Sequence, residues 1–441
     1  MKVRLKRRVR AGAALAVAAV AVAATLTGCG SSSSSANGAT PTITVWSWRS
    51  QDAAMWQTVA QDTGVKINFR AVTPTTYDSV LQTAMNGGSG PDIFYDRAGT
   101  GTMKYAAAGL AEPLDSVVDF SGMNKTSLAA AQYQGKTYGV PFAIQTMELF
   151  YNKDLLQKNG VAVPTTWNDL ISAMHTLQSK GVTPMSVMGT QGWLLALQLE
   201  SIEASSASNQ WNQDLVDKKA SLTDQPYVDS EKAFQQLAPY FESNWQGVGA
   251  AGNEQETDFA LGKSAFIIDG IFDTAQIDQV NPSLNYGQEL VPSPDGQTPK
   301  IEWYVDGNIS MNAKIKDAAE QAAAKKVIQF TATKQFGDAF SNIAGEISPI
   351  SGVTIPSKYA LSTQAYNWFQ TVPASPVVGI RSTLDSPPVG PDSLNAKQAV
   401  NTDQGIFTAQ QPDIVNLLLG KISAEDEAAK VQNDLKWYFG S

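Results

Sequence analysis

Apolar positions recur with two different periods along the first part of the chain, and the two alternate. Ile43 to Trp48 (ITVWSW) is rich in β-branched and aromatic residues and reads as a strand. Ala53, Trp56, Val59 and Ala60 then fall at helical spacing within residues 52–63. Val65, Ile67, Phe69 and Ala71 alternate with Lys66, Asn68 and Arg70, which marks a second strand. Tyr77, Val80, Leu81, Ala84 and Met85 form the next helical stripe, and Gly87-Gly88 ends it. Pro91 to Tyr95 opens a third strand. Strand, helix, strand, helix, strand predicts an α/β fold on a parallel sheet.

The pattern continues more sparsely. Leu149-Phe150-Tyr151 reads as a strand. Thr166, with Asp169 three residues on, predicts a capped helix whose buried stripe is Leu170, Met174 and Leu177. Ala265 to Asp269 is a short buried strand, and residues 317–330 an Ala-rich helix carrying Val327, Ile328 and Phe330. Residues 371–392 are Pro-rich and aperiodic, hence a long loop. Residues 423–438 predict a last helix, acidic at its start (Glu425, Asp426, Glu427) and basic near its end (Lys430, Lys436), as the helix dipole favours. With 441 residues, two domains are expected.

The first residues follow a different logic. Lys2, Arg4, Lys6, Arg7, Arg8 and Arg10 precede an Ala/Val/Leu run from Ala11 to Leu26. Sixteen residues reach roughly 24 Å as a helix, short of a bilayer core near 30 Å. A secretory signal over residues 1–28 is therefore expected rather than a permanent span, and Arg7-Arg8 leaves the twin-arginine route open beside the general one. Leu26-Thr27-Gly28-Cys29 resembles a bacterial lipobox. That resemblance implies a diacylglycerol on the Cys29 thiol and cleavage before it, with residues 29–41 as anchor and tether. The run SSSSSANGAT at 31–40 has nothing to bury.

Composition narrows the chemistry. The chain has one Cys and one His, so it forms no internal disulfide and no His/Cys zinc site. A Ser-His-Asp triad would have to use His175, which lies off the Leu170/Met174/Leu177 stripe and reads as a surface residue. Without residues 1–28 the chain keeps 26 of its 32 basic residues against all 41 acidic ones, a net charge of -15. Such a body is a poor partner for nucleic acid. It meets the membrane through the anchor only. Gly262-Lys263-Ser264 has Thr257 where a P-loop needs Gly, and Gly99-x-Gly101 has Lys104 where a dinucleotide fingerprint needs Gly.

Several blocks in succession carry a family resemblance. They are Gly90-Pro91-Asp92-Ile93-Phe94 through Asp96-Arg97, Tyr105 to Leu110, Pro113-Leu114-Asp115, and Tyr133 to Pro141. Leu149 to Leu155, Gly160-Val161, Pro164 to Leu170, Phe259 to Ala265 and Gly307 to Ser310 follow. In this order they resemble the extracellular solute-binding proteins of sugar ABC transporters, the maltose-binding-like group. The resemblance implies a two-lobed α/β fold of the type II periplasmic-binding-protein kind, with a hinge and a ligand cleft between the lobes. The N-lobe would be residues 42–143 and 304–346, the C-lobe 144–303 and 347–441. It further implies a monomer on the outer face of the cell membrane, holding a sugar or oligosaccharide and delivering it to an ABC permease. No catalysis, cofactor or metal is expected.

A sugar presents hydroxyls at its rim and C–H groups on its faces, which suits charged or amide groups and aromatic rings. Asp96-Arg97 follows a strand, at the carboxyl end where open α/β sheets hold ligands, and the family's Asp-Arg there contacts sugar hydroxyls. Trp46, Trp48 and Arg49 end the first strand, and alternation puts the two rings on one face. Gln145 stands where the family carries a sugar-binding acid, a departure that leaves the particular sugar open. Glu148 lies nearby in sequence. Phe272, in Asp269-Gly270-Ile271-Phe272, matches a family stacking aromatic, and Trp193 after Gly192 offers a second ring. The resemblance implies three crossings between the lobes, near Phe142–Gln145, Trp303–Asp306 and Ile347–Ser351, which puts Trp303 and Asp306 at the second, and Arg381 would reach in from the Pro-rich loop. The rival readings are a secreted glycoside hydrolase, with two carboxylates across a sugar, and the same fold holding a non-sugar solute.

Overall fold

A computed structural model gives the structure and describes residues 41–372 and 405–440. The signal, Cys29, the tether before residue 41, Arg381 and most of the Pro-rich stretch lie outside the described residues. The strands are β1 (Thr42–Ser47), β2 (Lys66–Ala71), β3 (Ile93–Arg97), β4 (Gln132–Tyr133), β5 (Lys136–Thr137), β6 (Gly139–Pro141), β7 (Ile144–Asn152), β8 (Thr183–Met185), β9 (Ser264–Gly270), β10 (Tyr286–Glu289), β11 (Glu302–Val305) and β12 (Gly307–Met311).

One sheet has the order β2-β1-β3-β12-β6 and a second the order β10-β7-β9-β8, with β11 also on β7. The expected parallel sheet is seen only in part. β1, β2 and β3 are parallel, but β12 is antiparallel to β3. The reason is connectivity: β12 arrives directly from the second sheet through one residue, with no crossover helix to turn it round. In the second sheet only β8 and β9 are parallel.

Local sequence explains the elements. In β2, Ile67 and Phe69 are partly covered while Lys66, Asn68 and Arg70 lean outward, as an edge strand requires. The helix Ala53–Thr63 buries Met55, Trp56 and Val59 and stops at Gly64, whose φ of 65° a side chain would strain. Thr166 and Asp169 form the capping box that starts the helix Trp167–Ser179. The last helix is shorter than its charge pattern predicts. It runs Ala424–Asp434, and a separate turn follows at Lys436–Phe439.

Two large apolar cores follow the two sheets. Ile43, Val45, Trp56, Leu81, Phe94, Val140, Ile309, Val327 and Phe340 belong to the first. Leu149, Leu170, Leu194, Leu199, Phe234, Phe266, Ile414 and Leu418 belong to the second. Almost every residue of the helix Gly192–Ser206 is buried. Residues after 405 therefore return to pack on the second sheet.

The chain moves between sheets on adjacent paths. β6 leads into β7 through Phe142-Ala143, and β11 leads into β12 through Asp306. These two passages are hydrogen-bonded to each other, Asp306 N to Ala143 O at 3.1 Å and Phe142 N to Gly307 O at 3.2 Å. A third joins them where Ile144 N donates to Ile347 O at 2.8 Å. Among the described residues, no helix is long and apolar enough to cross a membrane.

Candidate functional site

Arg49 lies two residues beyond β1 and is 4% exposed. Its Nε meets Asp52 at 3.0 Å, one terminal nitrogen meets Asp306 at 3.0 Å, and the other pairs with Glu346. Gln145 donates its amide to the second oxygen of Glu346. One guanidinium thus touches the second passage and the third, and reaches the first through Glu346 and Gln145. Its plane also lies 5.4 Å from the Phe142 ring and 5.7 Å from Phe340. Burial opposes its charge, but Asp52, Glu346 and Asp306 more than offset that and hold the proton firmly. Burial raises the carboxyls of Asp52 and Glu346, while Arg49 pulls both back.

A second group stands on the other sheet. β9 ends in Asp269-Gly270, and the turn Ile271–Asp273 carries Phe272 to a centroid distance of 6.2 Å from Trp193. Both rings are half-buried. Trp193 Nε1 donates to Gln191 Oε1 at 2.9 Å, which fixes its tilt. Glycine at 270 lets the Phe272 ring lie where it does, because a Cβ there would push that ring aside. Glu256, Asp269 and Asp273 each point a carboxylate oxygen at one spot, all within 4.8 Å of one another. Burial, then the neighbouring acids, push Asp269 and Asp273 well above the usual carboxylate range. Tyr304 stands opposite Gln145 across β7 and β11. Burial raises its phenol, and Asp306, Asp273, Asp269 and Glu346 all add to the effect. The acids of the Arg49 cluster and of the Phe272 turn are therefore close enough to act on one phenol.

Not every expected residue faces these groups. Asp96 is 1% exposed and accepts hydrogen bonds from Ser310 Oγ at 2.6 Å and from the Thr102 hydroxyl. Burial pushes it up to about 7. Its oxygens are engaged inside the first sheet rather than turned to an open surface. Arg97, its neighbour, stays partly exposed, 3.5 Å from Asp78, with its guanidinium 3.9 Å from the Trp48 ring. Trp46 and Trp48 do not act as a pair. β1 ends at Ser47, so alternation stops there. Trp48 packs edge-on against Tyr77 and Tyr95, while Trp46 lies under Arg70 at 4.3 Å. Trp303 is core, T-stacked on Phe369 at 5.0 Å. Glu148 is wholly buried in β7 and burial pushes it up to about 8. Arg49 and Gln145 serve the hinge rather than an open surface, as does Asp306, which keeps partial exposure.

Glu346, Asp52, Tyr304, Asp273 and Glu256 were not among the sequence candidates. One signal could have found Glu346. It is the only charge between Ile343 and Ile350, directly after Gly345, which ends the helix Lys334–Ala344 with φ 73°. A lone acid in so apolar a stretch needs a partner.

Residues 46–336 match the family model described as "Bacterial extracellular solute-binding protein". The chain belongs to the bacterial extracellular solute-binding proteins. A putative binding protein of Brucella abortus is 25% identical over 298 residues, 65% of this chain and 69% of that one. The maltotriose-binding protein of Pyrococcus abyssi is 24% identical over 256 residues, 54% of this chain and 52% of the relative. In fold, a chitin oligosaccharide binding protein superposes with a TM-score of 0.75 at 21% identity, covering 92% of this chain and all of the other. The two sheets are thus the two lobes of the type II solute-binding fold, and the three passages between them are its hinge. Members of this family are binding proteins, which favours capture over turnover as the use of the site.

Proposed function

We propose that this solute-binding protein is the lipid-anchored component of an ABC importer, holding a sugar or oligosaccharide between its lobes and handing it to the membrane permease. The Trp193–Phe272 pair carries this reading. Two half-buried rings stand with the half-buried Asp273 next to a hinge, which offers stacking for sugar faces and an acceptor for hydroxyls. The sugar-binding relatives support it, as does the Cys29 motif for the anchor. Ligand would bridge the lobes and so favour the closed state.

A melting-temperature screen over mono- and oligosaccharides tests it. A true ligand at about 100 times its Kd adds about 2.7 kcal/mol of stability. Phe272→Ala and Trp193→Ala are each expected to weaken the hit by about 2- to 12-fold, since stacking of this kind contributes about 0.5–1.5 kcal/mol beyond area burial. Gly270→Ala should leave the melting temperature of the free protein little changed but weaken binding similarly, because only the Phe272 ring has to swing aside. Silence towards every saccharide would end the proposal. Released product in the same incubations would transfer the chain to the hydrolase reading.

A further inference from the structure

The three carboxyl groups beside the Phe272 turn come from separate elements. Glu256 lies on the helix Glu254–Ala260, Asp269 near the end of β9, and Asp273 at the end of the turn Ile271–Asp273. One oxygen from each lies within 4.8 Å of the others. Calcium holds its oxygen ligands at about 2.3–2.6 Å, so two ligands of one ion are at most about 5 Å apart. The trio meets that limit.

Glu256 supplies a separate observation. It is 1% exposed, and neither of its oxygens accepts a hydrogen bond from a group outside the trio; its side-chain contact is with the Asp269 carboxyl, and two such groups can meet only with a proton or a cation between them. A buried carboxylate left bare in this way is costly unless something charged meets it. Asp269 is already supported, by Gly270 N at 2.7 Å and Gln255 Nε2 at 2.9 Å, and so is held in position. Among the described residues, no lysine or arginine forms an ion pair with any of the three. Arg49, whose field reaches Asp273, is committed to Asp52, Asp306 and Glu346.

We propose that Glu256, Asp269 and Asp273 bind a hard divalent cation of the calcium class. The donors are all oxygen, which disfavours zinc and copper. The spacing tolerates calcium better than magnesium, whose ligands at about 2.0–2.1 Å would have to close to within about 4.2 Å of one another. The ion would tie the helix Glu254–Ala260 to the turn that carries Phe272, and so set that ring against Trp193 before any solute arrives.

The test uses the whole chain after chelator treatment and dialysis, with no sugar present, so it stands or fails apart from the function proposed above. Calorimetric titration with calcium chloride is expected to give one site per chain with a Kd of about 0.1–1 mM, the range of extracellular calcium modules. Calcium at about 5 mM should then raise the melting temperature by a few degrees, with magnesium at least about tenfold weaker. Glu256→Gln and Asp273→Asn should each weaken calcium about tenfold or more, with circular dichroism confirming that both variants fold. No heat and no melting shift at that concentration overturns the proposal. A shift of equal size in the wild type and both variants overturns it too. So does a melting temperature that responds to pH but not to calcium, which would mean that protons alone neutralise the trio.

Discussion

Arg49→Ala is expected to lower the unfolding free energy by about 3–5 kcal/mol, the usual consequence of removing one partner from a buried ion pair. Asp52, Asp306 and Glu346 would all lose the same cation, and two of these acids are almost wholly buried. The loss would not stay local. Asp52 opens the helix Ala53–Thr63 and accepts from the Tyr95 hydroxyl at 3.0 Å. Asp306 sits on the second passage, and Glu346, at the start of the third, holds Gln145 of the first. One fork of five N–H donors satisfies three directions at once, which a lysine cannot do. Arg49→Lys should therefore recover little of the lost stability. Arg49→Met combined with Glu346→Gln should recover more, since it removes charge from both sides. Urea unfolding curves would decide the matter. If Arg49→Ala and the wild type have midpoints within error of each other, the hinge is not held by this residue. Sugar affinity provides a second readout, because a loosened hinge changes the free energy of closing the lobes without touching the ring pair.

The second large effect concerns pH and lies far from the cleft. Glu231, on the helix Gln225–Leu237, and Glu427, on Ala424–Asp434, are 0% and 1% exposed. Burial raises both, and each modulates the other. Around them stand Tyr227, Glu203, Asp413, Asp434 and Lys430, and the lysine is already paired with Asp413 at 2.8 Å. Two buried carboxylates side by side repel, so the pair is most stable while at least one of them holds a proton. The sign follows directly. A folded pKa above the unfolded value near 4.3 makes the contribution full below that pH, and it declines as pH rises towards the folded value. Each proton retained by the fold costs up to about 1.4 kcal/mol per pH unit. Wild-type stability should fall between about pH 5 and pH 8, and Glu231→Gln, a permanent donor, should flatten the slope. At about pH 8 the variant is expected to melt above the wild type. Asp96 and Glu148 carry the same sign, so the difference between the two profiles, rather than the wild-type profile alone, isolates this pair. Parallel profiles would show that the two carboxyls do not share a proton.

Much of the local architecture was legible in the sequence. Alternation at residues 65–71 marks β2, the Thr166/Asp169 box starts its helix, and the ordered blocks from Gly90 to Ser310 identify the family. These features depend on neighbours a few residues apart, and a linear pattern records such neighbours. The Trp193–Phe272 pair was half-legible. Trp193 follows Gly192 and Phe272 lies two residues after Gly270, but their contact joins residues 79 positions apart. Asp96 shows the opposite outcome: its place at a strand's carboxyl end was readable, yet Ser310, 214 residues later, takes one of its oxygens.

By itself, then, the sequence determined the alternation of strands and helices, the excess of acidic residues after a cationic N-terminal stretch, and membership of a two-lobed binding family. Tertiary structure alone decided which charged residues are free to meet a ligand. Arg49 finds its acids 3, 257 and 297 positions away. A side chain's chemistry is written at its own position, but whether its polar atoms are already satisfied depends on distant segments that only folding brings alongside.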